Sequence, residues 1–494
     1  MTDKNHQSRD LRYAIIGAGM AGLLAAIKLK EKGQTDFVVY EKADAMGGTW
    51  RENRYPGLTC DVPAHAYTYS FAPYAEWNAY HATGAEIKRY FETVAQDYDI
   101  EPFIQFNTEV KHCQFDEAAH QWHISLSDGR QDCVDVIICA SGVLHHPKMP
   151  DIKGLGDFQG ACFHSAQWDE NVALDNQRIG LIGSGSSGIQ IATALSSRAA
   201  QLVHFQRSPQ WIMPVQQFPY SEEEKQAFRD DVEKINAIRY DETYWHNVYR
   251  FNKGIIEPDS PEMKEIEAYC LNYLETSVTD PVLREKLRPN YRAACKRLVY
   301  SWQYYDTVQR PNVLIETSAI DKIEANGVRM ANGHLHELDI LVLATGFQAD
   351  QFIRPTQVIG REQKSLDTAW AERASAYYAI SVPSFPNFFM LNGPTGPVGN
   401  FSLIDIAEMQ WGYIEQLLKQ LQTGAAASLE PTQEAFEAYE EKRIKAAQKT
   451  IFNSGCTSWY LDKTGIPMTW PWSYQAFVDA MKKPDMNAFI EFPH

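Results

Sequence analysis

Short apolar runs, several of them closed by glycine, set the rhythm of the chain. Tyr13-Ala-Ile-Ile16 is followed by Gly17-x-Gly19-x-x-Gly22, then by a helical stretch toward Gly33. A second apolar run, Phe37-Val-Val-Tyr40, ends at Glu41. Continuous apolar runs of this length predict strands buried on both faces, so residues 11–41 read as strand, turn, helix, strand. The pattern returns at Arg178-Ile-Gly-Leu-Ile182, a turn from Gly183 to Gly188, a helix from about Ile189, and the run Gln201-Leu-Val-His-Phe205. Further strands are expected near 121–126 and 134–140. Two runs share one ending: Asp135-Val-Ile-Ile-Cys-Ala-Ser-Gly142 and Asp339-Ile-Leu-Val-Leu-Ala-Thr-Gly346 both read D-x-x-x-x-A-[ST]-G. This coarse repeat implies two units of one fold, one interrupting the other. Between them, residues 221–290 open on Ser221-Glu-Glu-Glu-Lys225 and read as a charged helical insertion with a solvated face. Farther on, Leu403, Ala407, Trp411, Ile414, Leu418 and Leu421 lie on one face of a helix, with Gly424 after it.

Each glycine turn suits a dinucleotide. The first glycine permits the tight turn, the second admits a pyrophosphate, and the third lets helix and strand pack closely. The helix N-terminus adds N–H donors and a positive dipole. Gly17, Gly19 and Gly22 therefore mark one site, and Ser184, Gly185, Ser186, Ser187, Gly188, Ile189 and Gln190 line the second. Glu41 stands where an acid accepts hydrogen bonds from ribose hydroxyls. Arg207 stands at the same offset in the second unit, followed by Ser208. A guanidinium there suits a 2′-phosphate, so the second nucleotide is read as NADPH. FAD is the usual occupant of a unit that opens such a two-nucleotide chain.

Composition narrows the class. At 494 residues and 44% hydrophobic, the chain is too long for one core. Its formal net charge of −17 argues against nucleic acid as a partner. The eight cysteines form no C-x-x-C pair, which argues against a zinc ribbon and a disulfide reductase. Scattered thiols suit a reducing cytoplasm. The polar start, Met1 to His6, lacks a signal-peptide core, and the longest apolar run, Tyr13 to Ile27, is too short for a membrane span. The expected protein is soluble and cytoplasmic, with no membrane partner.

Between the two glycine motifs lies Phe158-Gln-Gly160-Ala-Cys-Phe-His164-Ser-Ala-Gln-Trp168-Asp169. It fits F-x-G-x-x-x-H-x-x-x-W-[PD] at each specified position, and so resembles the fingerprint of type I Baeyer–Villiger monooxygenases. A second stretch, Gly47-Gly48-Thr49-Trp50 through Tyr55-Pro56-Gly57 to Asp61, resembles G-G-x-W-x-x-x-x-[FY]-P-G-x-x-x-D of the same family. The resemblance implies that Thr49, Trp50, Arg51 and Glu52 run along the flavin, with Thr59, Cys60 and Asp61 near its ring. It also implies FAD contacts for Tyr67 and Val110. Lys296 would join Arg207 at the 2′-phosphate, and Arg297 would reach the flavin. Ser458-Trp459-Tyr460 resembles an element whose Trp covers the nicotinamide. The chain departs from the family's habit at Leu298, where Pro often follows Arg297, and after Tyr460, where N-x-P-G-K is common. His164 is read as a hinge between domains, not as a base.

The implied fold is α/β: two Rossmann-like dinucleotide-binding domains, for FAD and NADPH, the second inserted in the first and itself carrying the helical insertion. The FAD domain would take residues 1–142 and 346–494. A linker would cover 143–173, the NADPH domain 174–220 and 291–345, and the insertion 221–290. The implied activity is a monooxygenase that uses NADPH and O2 to insert one oxygen next to a ketone carbonyl, giving an ester or lactone through a C4a-peroxyflavin. Arg297 would stabilise the peroxide anion and Asp61 would hold Arg297. Linear, cyclic and aromatic ketones all satisfy this reading, and the oligomeric state is open. The competing reading is an N- or S-oxygenating flavin monooxygenase, whose linker usually ends in Tyr or Phe where Trp168 stands.

Overall fold

The computed structural model describes residues 9–397, 399 and 401–493. Two parallel sheets organise it. The first runs, edge to edge, through Phe388–Met390, Val136–Cys139, Tyr13–Ile16, Phe37–Tyr40 and Ile104–Gln105. Ile15 lies between Val39 and Ile138 in register. The four central residues Tyr13–Ile16 are all buried, as a doubly covered strand requires. Helix Met20–Glu31 follows them and packs against helix Leu403–Gln422, so the C-terminal part of the chain covers the first sheet. That second helix buries Ile404, Ala407, Trp411, Ile414, Leu418 and Leu421, while Leu403 is only half-buried.

The second sheet runs Val313–Glu316, Gln201–Phe205, Arg178–Ile182, Ile340–Leu343 and Ala161–His164, again all parallel. Its last strand lies inside the stretch expected to be a linker. Phe163 pairs with Val342 and His164 with Leu343. The fingerprint is thus an edge strand. At Gly160 a Cβ would lie 2.3 Å from the Asp339 carbonyl oxygen and 2.7 Å from the Phe158 ring, so only glycine lets the strand dock there. His164 and Trp168 are 1% and 5% exposed, and Trp168 meets Phe163 edge-on at 4.9 Å. His164 Nδ1 accepts from Ala166 N, and its ring lies edge-on to Phe347, where the chain leaves the second sheet. Apolar run and fingerprint together build packing that no period in the sequence announces.

Five helices fill 222–287: Glu222–Asp230, Val232–Arg239, Glu242–Ile256, Pro261–Ser277 and Pro281–Leu287. The first is closed by a reciprocal cap between Ser221 and Glu224. The expectation of eight scattered thiols needs correction. Cys295 and Cys456 form a disulfide across 161 residues of sequence, and the other six are free. The pair is invisible in the sequence because its partners meet only in the folded chain. Among the described residues no helix is long and apolar enough to cross a membrane.

Candidate active-site cleft

The two glycine turns are built alike. Gly17 and Gly183 hold φ of +102° and +117°, a region costly for any residue with a Cβ. Each turn abuts the carbonyl of the shared A-[ST]-G ending, Ala140 in the first sheet and Ala344 in the second. A Cβ on Gly22 would lie 1.8 Å from the Gly17 oxygen, and one on Gly188 would lie 2.0 Å from the Gly183 oxygen. Gly19 and Gly185 are the residues that open the following helices. Nothing lies within 4 Å of a Cβ built on Gly185, which leaves open space at a helix N-terminus. This is room a pyrophosphate fits.

The acid and the cation of the two units differ in surroundings. Glu41 is buried, and its two carboxylate oxygens accept from Ala18 N (2.7 Å) and Ala43 N (2.9 Å). Each oxygen keeps a further lone pair for a ribose hydroxyl. Arg207 is exposed and lies near Lys296, whose Nζ reaches Ser208 Oγ at 3.2 Å. Burial and then repulsion from Arg207 lower the Lys296 pKa below its ordinary value. Among the described residues neither cation has an acidic side chain in ion-pair reach, so together they form a site for an anion. Ser184 Oγ donates to the Ser208 carbonyl and holds the two ends of this site together.

The loop from 47 to 61 joins the units. Thr49–Glu52 is a single helical turn; Arg51 pairs with Asp44 and Glu52. Trp50 Nε1 donates to Tyr67 Oη at 3.3 Å. Tyr55 lies against the second unit, donating to Gln190 Oε1 at 2.9 Å and accepting from Ser187 Oγ at 3.1 Å. Gln190 Nε2 returns a bond to the Thr59 carbonyl. Gln190 and Ser187 therefore serve the junction as well as the second turn. Cys60 is buried, and burial pushes its thiol well up.

At this junction Arg297 forms an ion pair with Asp61. The carboxylate raises the Arg297 pKa above its already high value, so the guanidinium stays charged. A third of its side chain faces the cleft. Tyr460 stands beside Arg297, packed in one apolar cluster with Leu298, and Tyr300 and Tyr67 are close by. The cleft has a volume of about 2690 Å³. That is well above the 300–1,000 Å³ of a single small-molecule site and suits two nucleotides with a substrate. Thr49, Trp50, Thr59 to Asp61, Tyr67, the Ser184–Ser187 turn, Arg207, Ser208, Lys296 and Trp459 all line it. Gly17, Gly19, Gly22, Glu41, Arg51, Glu52, Gly188, Val110 and Ile189 do not; the side chains of Val110 and Ile189 are 3% and 1% exposed in the cores. Trp459 sits 39% exposed at the rim. Sequence reasoning passes over Tyr460 and Tyr300. The one signal for Tyr460 is its place beside Trp459 in the Ser-Trp-Tyr element.

Two glycine-turn cradles, the second lining a cleft that the 47–61 loop of the first also walls and that holds a fixed guanidinium, define a two-nucleotide oxidoreductase. A family model described as flavin-binding monooxygenase-like matches residues 10–223. A Baeyer–Villiger monooxygenase of Streptomyces coelicolor is 34% identical over 99% of this chain and 94% of its own. One from Pseudomonas aeruginosa is 33% identical over 95% and 90%. The structure of cyclohexanone monooxygenase from Rhodococcus sp. Phi1 bound to NADP+ matches with a TM-score of 0.87 at 27% identity, over 99% of this chain and all of that one. Steroid monooxygenase bound to NADP matches with a TM-score of 0.86 at 26% identity, over 98% of this chain and all of that one. The chain belongs to the Baeyer–Villiger monooxygenases.

Proposed function

We propose that the protein inserts one atom of O2 beside a ketone carbonyl, giving an ester or lactone, with FAD in the first cradle and NADPH in the second. The observation that carries the reading is the Asp61–Arg297 pair at the junction of the cradles. Bound FAD supplies the redox chemistry, accepting hydride from NADPH and activating O2. The chain supplies binding, charge and direction. Glu41 would accept from the FAD ribose, the N–H groups of the first turn would serve its phosphates, and Thr49 to Glu52 would run along the flavin. Thr59, Cys60, Asp61 and Tyr67 would flank the ring. Arg207, Ser208 and Lys296 would hold the 2′-phosphate that marks NADPH, the Ser184–Ser187 turn would take its pyrophosphate, and Trp459 would cover its nicotinamide.

Arg297 is the catalytic residue. Its guanidinium keeps its protons at any working pH and donates N–H groups to oxygen that gains negative charge, both during attack on the ketone and in the resulting adduct. Asp61 anchors it from one side without leaving the cleft wall. The aromatic rings of Tyr67, Tyr244 and Tyr300 wall the cleft and exclude water from the charged centre. The domain reading follows the same lines: an FAD unit of 1–142 and 346–494, an NADPH unit of 174–220 and 291–345, and helices between. A cytoplasmic setting is part of this reading, resting on six free thiols, with the Cys295–Cys456 disulfide counting against it.

The test is a coupled assay on linear, cyclic and aromatic ketones, with NADPH loss, ester and hydrogen peroxide followed together. Ester formed in step with NADPH loss is expected. Oxygenated thioethers or amines with no ester from any ketone would overturn the ketone reading in favour of heteroatom oxygenation.

A further inference from the structure

Arg297 must do two things that conflict. It must stay charged and point into the cleft, yet a carboxylate that fixes it also offsets its charge. Asp61 takes one edge of the guanidinium. A second group of another kind stands beside it: Tyr460, brought in from a segment more than a hundred and fifty residues away and packed in one apolar cluster with Leu298. A neutral oxygen fixes direction and leaves the charge intact.

The surroundings of Tyr460 are built to keep its hydroxyl there. The side chain is 3% exposed, with its ring against Phe452 (4.4 Å) and stacked on Trp459 (4.2 Å). Its backbone is held at both ends, by Tyr460 N donating to Ser458 Oγ and by Met468 N donating to the Tyr460 carbonyl. Gly399 makes the space. A Cβ on Gly399 would lie 2.2 Å from Tyr460 Oη, and the residue holds φ of +90°. Finally, the Cys295–Cys456 disulfide ties the two segments, Cys295 lying just ahead of Arg297 and Cys456 just ahead of Tyr460. Burial raises the phenol's pKa, so it remains neutral beside the guanidinium.

We propose that Tyr460 is a positioning residue for Arg297: its hydroxyl accepts a hydrogen bond from the guanidinium and holds it toward the cleft, in space left by Gly399 and on a segment tethered by Cys295–Cys456. The inference rests on the proposed role of Arg297. It makes the coupling of NADPH oxidation to oxygen transfer, rather than NADPH binding, the property that Tyr460 controls.

Tyr460→Phe keeps the ring and removes the oxygen. With the holoenzyme, flavin reduction by NADPH without air is expected at the wild-type rate and with an unchanged KM for NADPH. In air, the ratio of ester to hydrogen peroxide should fall about tenfold, the worth of one hydrogen bond to a charged group. A readout without turnover accompanies it. The visible absorption spectrum of the oxidised flavin should shift in Tyr460→Phe, and should not shift further when the change is added to Arg297→Ala. Unchanged coupling, or an equal spectral effect with and without Arg297, overturns the proposal. Should Tyr460→Phe fail to retain flavin, Gly399→Ala, whose methyl group displaces the hydroxyl, is read in the same two ways. Wild-type enzyme that makes no ester from any ketone would instead sink the proposed function, and the spectral comparison would still report on Tyr460.

Discussion

The two cradles share a turn and differ in their lids. In the first, Gly47 N donates to the Ala18 carbonyl, and a Cβ on Gly48 would lie 3.0 Å from the Gly19 Cα, so Gly47-Gly48 covers the turn. Glu41 braces the same turn from below through Ala18 N. In the second, the space beside Gly185 is open, the fixing groups are exposed or half-buried cations, and Ser184 only ties the turn to Ser208. The first cradle is closed by its own chain and suits a nucleotide that stays. The second is open and suits one that arrives, gives up hydride and is exchanged. One fold thus gives two cradles that differ in what covers the glycine turn.

Matched substitutions at the third glycines are the strongest way to break this contrast. A methyl group at Gly22 or Gly188 meets a carbonyl oxygen at 1.8 or 2.0 Å, so helix and strand must part in either case. Gly22→Ala is expected to abolish all activity, with flavin absent from the purified protein. Gly188→Ala should keep its flavin, measured as absorbance per protein, and lose reduction by NADPH. Flavin loss from both variants would mean the two cradles are not independent. At the junction, Arg297→Ala should leave NADPH-driven flavin reduction intact while ester formation falls at least a hundredfold, for a barrier cost of about 3 kcal/mol. Stopped-flow reduction and product analysis separate the two. Ester at the wild-type rate would remove Arg297 from the chemistry.

The contrast is half legible in the sequence. Both glycine turns, the apolar strands beside them and the exchange of Glu41 for Arg207 are local, and local pattern is what a sequence displays. The helical stretch of 221–290 is legible for the same reason. What covers each turn is not. The meeting of Tyr460 with Arg297, the Cys295–Cys456 bond and the docking of Phe388–Met390 onto the first sheet join segments far apart in sequence, and such contacts leave no periodicity. The fingerprint misleads in an instructive way. Its glycine and tryptophan read as a linker, yet Gly160 is required by contact with Asp339 and Trp168 by the core of the second unit. Its residues hold the fold that sets the cleft, and the charge lies elsewhere, on Asp61 and Arg297.

The open cradle is sharpened by asking which nucleotide it prefers. Arg207→Ala should raise the apparent dissociation constant for NADPH about 10- to 100-fold, the range expected for losing charge-assisted bonds to a phosphate, with little change for NADH. Titration of the two nucleotides against flavin reduction measures this. Equal losses for both would mean that the 2′-phosphate is read by other groups.

The smallest effect belongs to Lys296, and it is a matter of pH. Burial and Arg207 hold its pKa below the ordinary 10.5, so in the folded enzyme it sheds its proton earlier than in the unfolded chain. Within that window the unfolded chain binds more protons, so this group's contribution to stability rises with pH. NADPH binding runs the other way, because the phosphate needs the charged lysine. The ratio of KM for NADPH to KM for NADH should therefore climb as pH rises from about 7 toward the lysine's ordinary range, by about fivefold for a contact worth roughly 1 kcal/mol. Lys296→Met should start at the higher ratio and stay flat. Lys296→Arg, always protonated, should keep the low ratio at the alkaline end. Nucleotide and buffer controls are shared by all three proteins, so the flatness of the Met variant is the decisive reading. A wild-type ratio that does not move with pH would place Lys296 outside the anion site and leave Arg207 to hold the phosphate alone.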